Sequence, residues 1–439
     1  MKIAIIGSGA AGLGAALALS DRHEILLFEK ANRFGGHANT VTTGIEGEKI
    51  AVDAGFIVYN EVNYPNLTAM FAHLDVATRP SDMSFGFSLD SGRFEYACDS
   101  LDKIFAQRLN AFNPRFLMSF RDVLRFVKLA PADLASGALA GLTLDEWLRQ
   151  RGFGAWFRDR FILPMGGAIW STPTERMLEF PAANFVAFFA NHDLFTGLAK
   201  AMQWRTVDGG SARYVERIVD RLSNRARRGV GVAASRRVGG KVELLFDDGS
   251  EGRFDQVVFA AHAPQSFAIA ADLDARERAL LGAFRTTANR AVVHRDPRLM
   301  PKRRKVWSSW SMMFEADRLG ETGAPVTLTY WMNRLQNLPT RHDLFVTLNG
   351  RRDPDPALTI AEIDYAHPAY DEAAFAAQAR MDEIQGRGGY WYAGAWLGWG
   401  FHEDALKSGL RVAEALEARP GWARDLGPSL AREHDMAAE

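Results

Sequence analysis

The strongest constraint on what this chain can fold into lies at its very start. Lys2 to Ile6 is a short apolar run, Gly7-Ser8-Gly9-Ala10-Ala11-Gly12 follows, and an Ala/Leu-rich stretch continues to Ser20. That order reads as strand, glycine turn and helix. A pyrophosphate must approach the backbone at such a helix N-terminus, where unpaired N–H groups and the helix dipole both favour negative charge. Gly7 permits the turn, Gly9 the close approach and Gly12 the packing of helix on strand, with Ser8, Ala10 and Ala11 completing the phosphate loop. The next strand, Glu24 to Phe28, ends on Glu29 with Lys30 beside it. An acid there accepts hydrogen bonds from a ribose diol and disfavours a 2′-phosphate, hence NADP.

The fingerprint alone leaves NAD and FAD open. The chain continues with Arg33-Phe34-Gly35-Gly36-His37-Ala38-Asn39-Thr40, and Asp53-Ala54-Gly55-Phe56 follows a strand at Lys49 to Val52. The pattern Arg-x-Gly-Gly-x-x-x-Thr resembles the second flavin-binding motif of the flavin amine oxidase and phytoene desaturase superfamily. The resemblance implies FAD, with Arg33 beside the phosphates, Gly35, Gly36, His37 and Thr40 in a second close approach, and Gly55 and Phe56 passing the isoalloxazine ring. The expected fold is α/β, a Rossmann-like FAD domain interleaved with a mixed α/β substrate domain.

The 439 residues call for two or three domains, and a net charge of -1 with mixed signs argues against a general nucleic-acid binder. Cys98 is the only cysteine, so no intrachain disulfide or cysteine-based metal site is expected, and a reducing cytoplasm is the natural setting. No apolar stretch is long enough to span a membrane.

Flavin-domain signals return twice. The first return holds Gly209-Gly210-Ser211, a helix from Tyr214 to Leu222, and β-runs at Gly229 to Ala234, Lys241 to Phe246 and Phe254 to Ala261, with an Asp248-Gly249 turn. By the resemblance, backbone at Val230 or Val232 holds the adenine. The second return runs from Gly389 through Gly394-Ala395 and Gly398-Trp399-Gly400-Phe401-His402-Glu403-Asp404 into a helix ending near Leu416. In the superfamily this helix start closes over the ring, and its dipole would stabilise an anionic reduced flavin. The FAD domain is therefore placed at residues 1–75, 205–271 and 386–418, the substrate domain at 76–204 and 272–385, and a tail at 419–439.

The insertions are aromatic between Phe105 and Trp204, which fits a large apolar pocket. Arg115 to Leu129 reads as a basic amphipathic helix with Phe116, Phe120, Val123, Leu124 and Val127 on its apolar side, and Pro301 to Trp307 as a solvated basic loop. Together they point to peripheral contact with an anionic membrane at its inner face.

Ala168-Ile169-Trp170-Ser171-Thr172, Phe189-Ala190-Asn191-His192 and Gly400-Phe401-His402-Glu403-Asp404 resemble a bacterial flavoprotein subgroup associated with fatty-acid-modifying genes. That implies dehydrogenation of a methyl-branched, unsaturated acyl chain of a phospholipid, by hydride transfer to flavin N5, on the way to furan fatty acids. A true amine oxidase usually carries a lysine on a strand corresponding to Ala288 to His294, where Asn289 and Arg290 stand instead, and Phe401 replaces a tyrosine. Oxidation of an apolar amine is the alternative, followed by a non-redox flavin isomerase or a lipid-presenting flavoprotein subunit. Candidate bases are His192, His262, His367 and His402, with His192 and His402 preferred. Without a second dinucleotide fingerprint, electrons pass to oxygen, a quinone or another protein. His37 and Cys98 are conceivable covalent flavin attachment points.

Overall fold

The computed structural model describes residues 1–170, 177–191, 202–314 and 327–427. A parallel five-stranded sheet carries the order β3-β2-β1-β4-β5, where β1 is Lys2–Ile6, β2 Glu24–Glu29, β3 Ala226–Arg228, β4 Gln256–Phe259 and β5 Tyr390–Tyr392. Its strands thus come from the first, middle and last parts of the chain. Parallel strands buried on both faces are near-continuous apolar runs, and Ile3, Ala4, Ile5, Val257, Val258 and Phe259 are all fully buried.

Helix α1 (Ala10–Leu19) is buried along all ten residues because it sits between this sheet and the last helix, α5 (His402–Ala415). Glycines make that approach possible. A Cβ on Gly409 would lie 2.2 Å from Ala11 O, and one on Gly14 2.4 Å from Leu406 Cδ1. Helix α4 (Ala212–Leu222) packs on α1 through Tyr214, Val215, Ile218 and Leu222. An antiparallel three-stranded sheet, Val232–Val238, Lys241–Phe246 and Glu251–Phe254, flanks the parallel one.

Two sequence expectations shift here. The run read as one strand from Gly229 to Ala234 is broken, because Gly229 (φ 69°) turns the chain between β3 and the strand starting at Val232. Phe254 to Ala261 is likewise two strands, split at Asp255. Asp255 ties both N-terminal ends together by accepting from Lys2 N (2.7 Å) and pairing with Lys241 (2.8 Å).

A seven-stranded mixed sheet, whose central strands are Phe345–Leu348, Thr327–Trp331 and Trp310–Phe314, is built from both insertions. Its strands Phe85–Leu89 and Trp310–Phe314 pair in parallel although more than two hundred residues separate them. Against one side packs a helical layer that includes α3 (Pro114–Ala135). The expected apolar face of α3 is partly wrong. Leu124 is exposed, whereas Phe116, Ser119, Asp122, Phe126, Ala130 and Asp133 are buried. The two carboxylates are tolerated inside because each is satisfied. Asp122 accepts from Arg125 Nη1 and Gly154 N (both 3.0 Å), and Asp133 from Trp147 Nε1 (2.8 Å) and from Arg151.

In Pro301 to Trp307 the four basic residues, Lys302 to Lys305, are exposed as expected of a solvated loop, but its ends are anchored. Glu95, fully buried, accepts from Lys302 N, Arg303 N and Arg303 Nη1, Trp307 is buried with its Nε1 on Pro301 O, and Arg304 stacks on Trp307. No helix among the described residues is long and apolar enough to cross a membrane.

Candidate active site

The glycine loop does what its spacing demands. Gly7 adopts φ 104°, and a Cβ there would lie 2.6 Å from Ala260 O. A Cβ on Gly12 would fall 1.9 Å from Gly7 O, so only glycine lets α1 start this close to β1. Gly9 caps α1 in an extended conformation, and its missing Cβ opens on empty space with no atom within 4 Å. That space belongs to a cavity of about 780 Å³.

The cavity runs from the end of β2 to the seven-stranded sheet. At the β2 end, Ser8 N and Oγ donate to Glu29 Oε2 (3.0 and 2.6 Å), and Ala31 N donates to Oε1 (2.9 Å). Oε1 retains a lone pair for a further donor, whereas Oε2 already accepts two. Lys30 pairs with Asp247 (3.4 Å) beside Val230 and Val232 on the same wall. The second loop folds onto the first: Gly35 N donates to Ser8 O (3.0 Å), and a Cβ on Gly36 would stand 3.1 Å from Gly9 Cα.

Midway, Phe56 N donates to His37 O (2.7 Å), and Phe56 lies flat against His402 with ring centroids 3.8 Å apart and planes at 11°. His402 Nε2 is 2.9 Å from the Tyr214 hydroxyl, and burial pushes its pKa down to about 3. Phe401 and His402 open α5 at the wall, where Asp404 accepts from Trp399 N and Phe401 N (3.0 Å each). At the far end the lining is aromatic. Phe85, Trp310 and Tyr330 are register neighbours on three adjacent strands and touch in a row, at 5.8 and 4.8 Å between centroids.

Beside this end sits a cluster absent from the sequence reading as a unit. His37 stacks on Tyr365 (4.7 Å), with His367 and His262 at 5.2 and 6.2 Å. Its Nε2 is buried and has no hydrogen-bond partner among the described residues. Burial, then the neighbouring imidazoles, hold His37 well below the usual histidine range, and His367 is pushed down to about 4 for the same two reasons. These rings are neutral at physiological pH.

Of the residues expected to touch a cofactor, Gly7, Ser8, Gly9, Ala10, Ala11, Glu29, Lys30, Gly36, His37, Gly55, Phe56, Val232, Gly394, Ala395, Phe401 and His402 line this one cavity. Five do not. Gly12 and Gly35 shape the loops from behind, and Arg33 is exposed. Thr40 turns inward to donate to Asp53 (2.6 Å) and accept from Ala212 N (2.9 Å). Glu403 points away to α2 (Pro65–His73), accepting from Asn66 N, Asn66 Nδ2 and Leu67 N (3.0, 2.9 and 2.9 Å). His192 lies outside the described residues.

Asp53 is the hidden anchor of the site. Fully buried and pushed up to about 6 by that burial, it also accepts from Ser211 N and Oγ and from Gln336 Nε2 (3.1 Å). On the far wall His367 was already a candidate base, while Tyr365 was legible only as the alternate residue of the same strand, the period at which side chains share a face. Neither Asn289 nor Arg290 reaches the cavity: Asn289 accepts from Asn349 Nδ2 (2.8 Å), and Arg290 pairs with Asp353 and Glu362.

The residues fit FAD. A loop whose open Cβ position faces the cavity, an acid at the strand end, and an orphaned imidazole nitrogen on the wall are the parts that an adenine dinucleotide with a ring system would occupy.

The sequence matches the family described as flavin containing amine oxidoreductase over residues 10–290. No curated protein matches it. Among solved structures, wild-type putrescine oxidase bound to putrescine superposes with a TM-score of 0.69 at 16% identity, over 95% of this chain and 100% of that one. Cyclohexylamine oxidase from Brevibacterium oxydans gives 0.66 at 18% identity over 95% and 99%. A CLA-producing fatty acid isomerase from P. acnes gives 0.65 at 17% over 94% and 97%. At these identities the likeness is one of fold.

Proposed function

Given that this chain belongs to the flavin containing amine oxidoreductase family and is an FAD-dependent oxidoreductase, we propose that it dehydrogenates an extended apolar substrate, a methyl-branched unsaturated acyl chain of a phospholipid. The observation that carries this reading is the chemistry of the lining. Its carboxylates, Glu29 and Asp247, and its one lysine, Lys30, all stand at the β2 end, so among the described residues the aromatic end offers no charge to an ammonium group. Phe85, Trp310 and Tyr330 offer flat apolar surface to a chain instead. One structural relative, the CLA-producing fatty acid isomerase, supports the same substrate class.

Bound FAD would supply the two-electron acceptor for an activated C–H bond. The protein's part is orientation, exclusion of water and removal of the accompanying proton. We assign the proton to the His37–His262–His367 cluster rather than to His402, whose Nε2 is engaged by Tyr214. Neutral imidazoles of low pKa suffice, because an allylic carbon that has lost a hydride leaves a very acidic neighbouring proton.

A second reading, oxidation of an apolar amine, has the family itself and the two amine oxidase folds in its favour. Anaerobic mixing of the flavin-loaded protein with phospholipid bearing methyl-branched monounsaturated chains separates the two. Bleaching of the flavin's visible band with a diunsaturated product supports the proposal. Bleaching by cyclohexylamine but not lipid would transfer the assignment to amines, and bleaching by neither would overturn both.

A further inference from the structure

Ten large apolar side chains are exposed among the described residues, and six of them fall between Leu101 and Leu124. Scattered exposure is ordinary, whereas a cluster marks a surface that is covered in use. Leu109 (82% exposed) and Phe112 (83% exposed) project from the 3-10 helix Arg108–Phe112, which packs against α3, and Leu117, Met118 and Leu124 continue along that helix. Around them Arg108, Arg115, Arg121 and Lys128 are exposed. The acids of the same segment are spent elsewhere: Asp122 and Asp133 are buried in α3's inner face, and Asp102 is held by Arg108 and Lys305. The other basic stretch expected from sequence, Lys302 to Lys305, is exposed and borders this segment, where Lys305 pairs with Asp102 while Glu95 holds Lys302 N and Arg303 N.

We propose that this face docks on an anionic lipid bilayer, with Leu109 and Phe112 entering the headgroup–acyl boundary and Arg115, Arg121 and Lys128 lying at the phosphates. Stable peripheral binding takes an apolar contact together with a basic patch, and both occur here on the exposed surface of one segment, Arg108 to Lys128. Charge complementarity selects the occupant. Arg108 and Arg121 are paired with Asp102 and Asp122, but Arg115 and Lys128 leave the face with an excess of positive charge, which two copies meeting here would bring together and anionic headgroups would neutralise.

The test is co-sedimentation of the full-length, flavin-loaded protein with phosphatidylcholine–phosphatidylglycerol vesicles and with phosphatidylcholine alone. Binding to the anionic vesicles is expected, weakened by salt. Leu109→Asp with Phe112→Asp should weaken it about tenfold or more, and Arg115→Gln with Lys128→Gln should remove much of the salt-sensitive part. Val62→Asp, at an exposed apolar site outside this segment, should leave it unchanged. Equal binding by the double aspartate variant, or no binding of the parent, would overturn the proposal. So would a dimer that the aspartates dissociate without any lipid binding. The readout needs no turnover, so it stands or falls separately from the substrate assignment.

Discussion

Gly9 and Gly12 make opposite predictions although they stand three residues apart in one loop. Gly9→Ala places a methyl group where no protein atom lies within 4 Å, on a backbone (φ −67°, ψ −179°) that alanine adopts freely. Removing a glycine from the unfolded chain gains about 0.4–1 kcal/mol, and alanine as a helix N-cap loses a similar ~0.5–1 kcal/mol. The flavin-free protein should therefore be unchanged in stability. Its affinity for FAD should not be, because the new methyl would stand in the cavity where the glycine loop is proposed to hold the phosphates. An overpacking cost of about 1–3 kcal/mol is a roughly 5- to 150-fold weaker Kd. Gly12→Ala instead drives a Cβ to 1.9 Å from Gly7 O, which no rotamer relieves, so α1 must move off β1 and the flavin-free protein itself is destabilised. For 439 residues an unfolding entropy of ~0.9 kcal/mol/K means that 1 kcal/mol shifts Tm by only about 1 °C. Titration of stripped protein with FAD, followed by quenching of flavin fluorescence, is the sensitive assay. A Gly9→Ala protein that binds FAD like the parent, or that melts as early as Gly12→Ala, would refute the assignment of the loop.

Glu403→Ala leaves the first amides of α2 without their buried acceptor, at ~1–3 kcal/mol each, and should lower Tm by about 2–6 °C on a differential scan; an unchanged melt would mean that α2 is not held there. His294 is fully buried between Thr347 Oγ1 (2.7 Å) and Asp296 N (3.1 Å), and burial pushes it down to about 4. Because the folded pKa is depressed, its contribution is whole above the unfolded pKa and is lost as pH falls towards 4; between about pH 8 and pH 5 the loss is roughly 2 kcal/mol, which His294→Gln should remove from the pH dependence of the urea midpoint. His402→Asn should keep kcat within about tenfold with an unaltered pH profile, while His367→Gln should cost about a hundredfold or more; the reverse ranking would restore His402 as the base.

The cofactor half was legible because its signals are local. Gly7, Gly9 and Gly12 announce a turn, an opening and a contact within six positions, and each does so in space. Where partners are remote, the sequence was mute or misleading. Thr40 and Glu403 sit in flavin motifs, yet one serves Asp53 and the other α2, since a spacing fixes where a backbone passes but not where a side chain turns. Strand β3, three residues long with two exposed arginines, lacks the length or pattern that marks a strand. Asp122 and Asp133 belong inside only because Gly154 and Arg151 reach them from a later segment, so an apolar-face reading of α3 put Leu124 in their place. The row Phe85–Trp310–Tyr330 is assembled by register across three strands that no window of sequence spans.

The embrace of α1 by α5 has a consequence for biosynthesis. Helix α1, apolar along its whole length, leaves the ribosome several hundred residues ahead of its partner α5. Strand β5, which completes the sheet beside β4, is equally late. Chains of this size fold as segments appear, yet here the nascent protein must carry a greasy helix, covered in part by β1, β2 and α4, with its α5 side open until residue 402 is passed. Because Phe401, His402 and Ala405 line the cavity, FAD loading is expected only after α5 has been made. Premature termination anywhere before residue 402 leaves a product that lacks α5, and that product should be captured by chaperones or degraded rather than accumulate as a flavin-binding fragment.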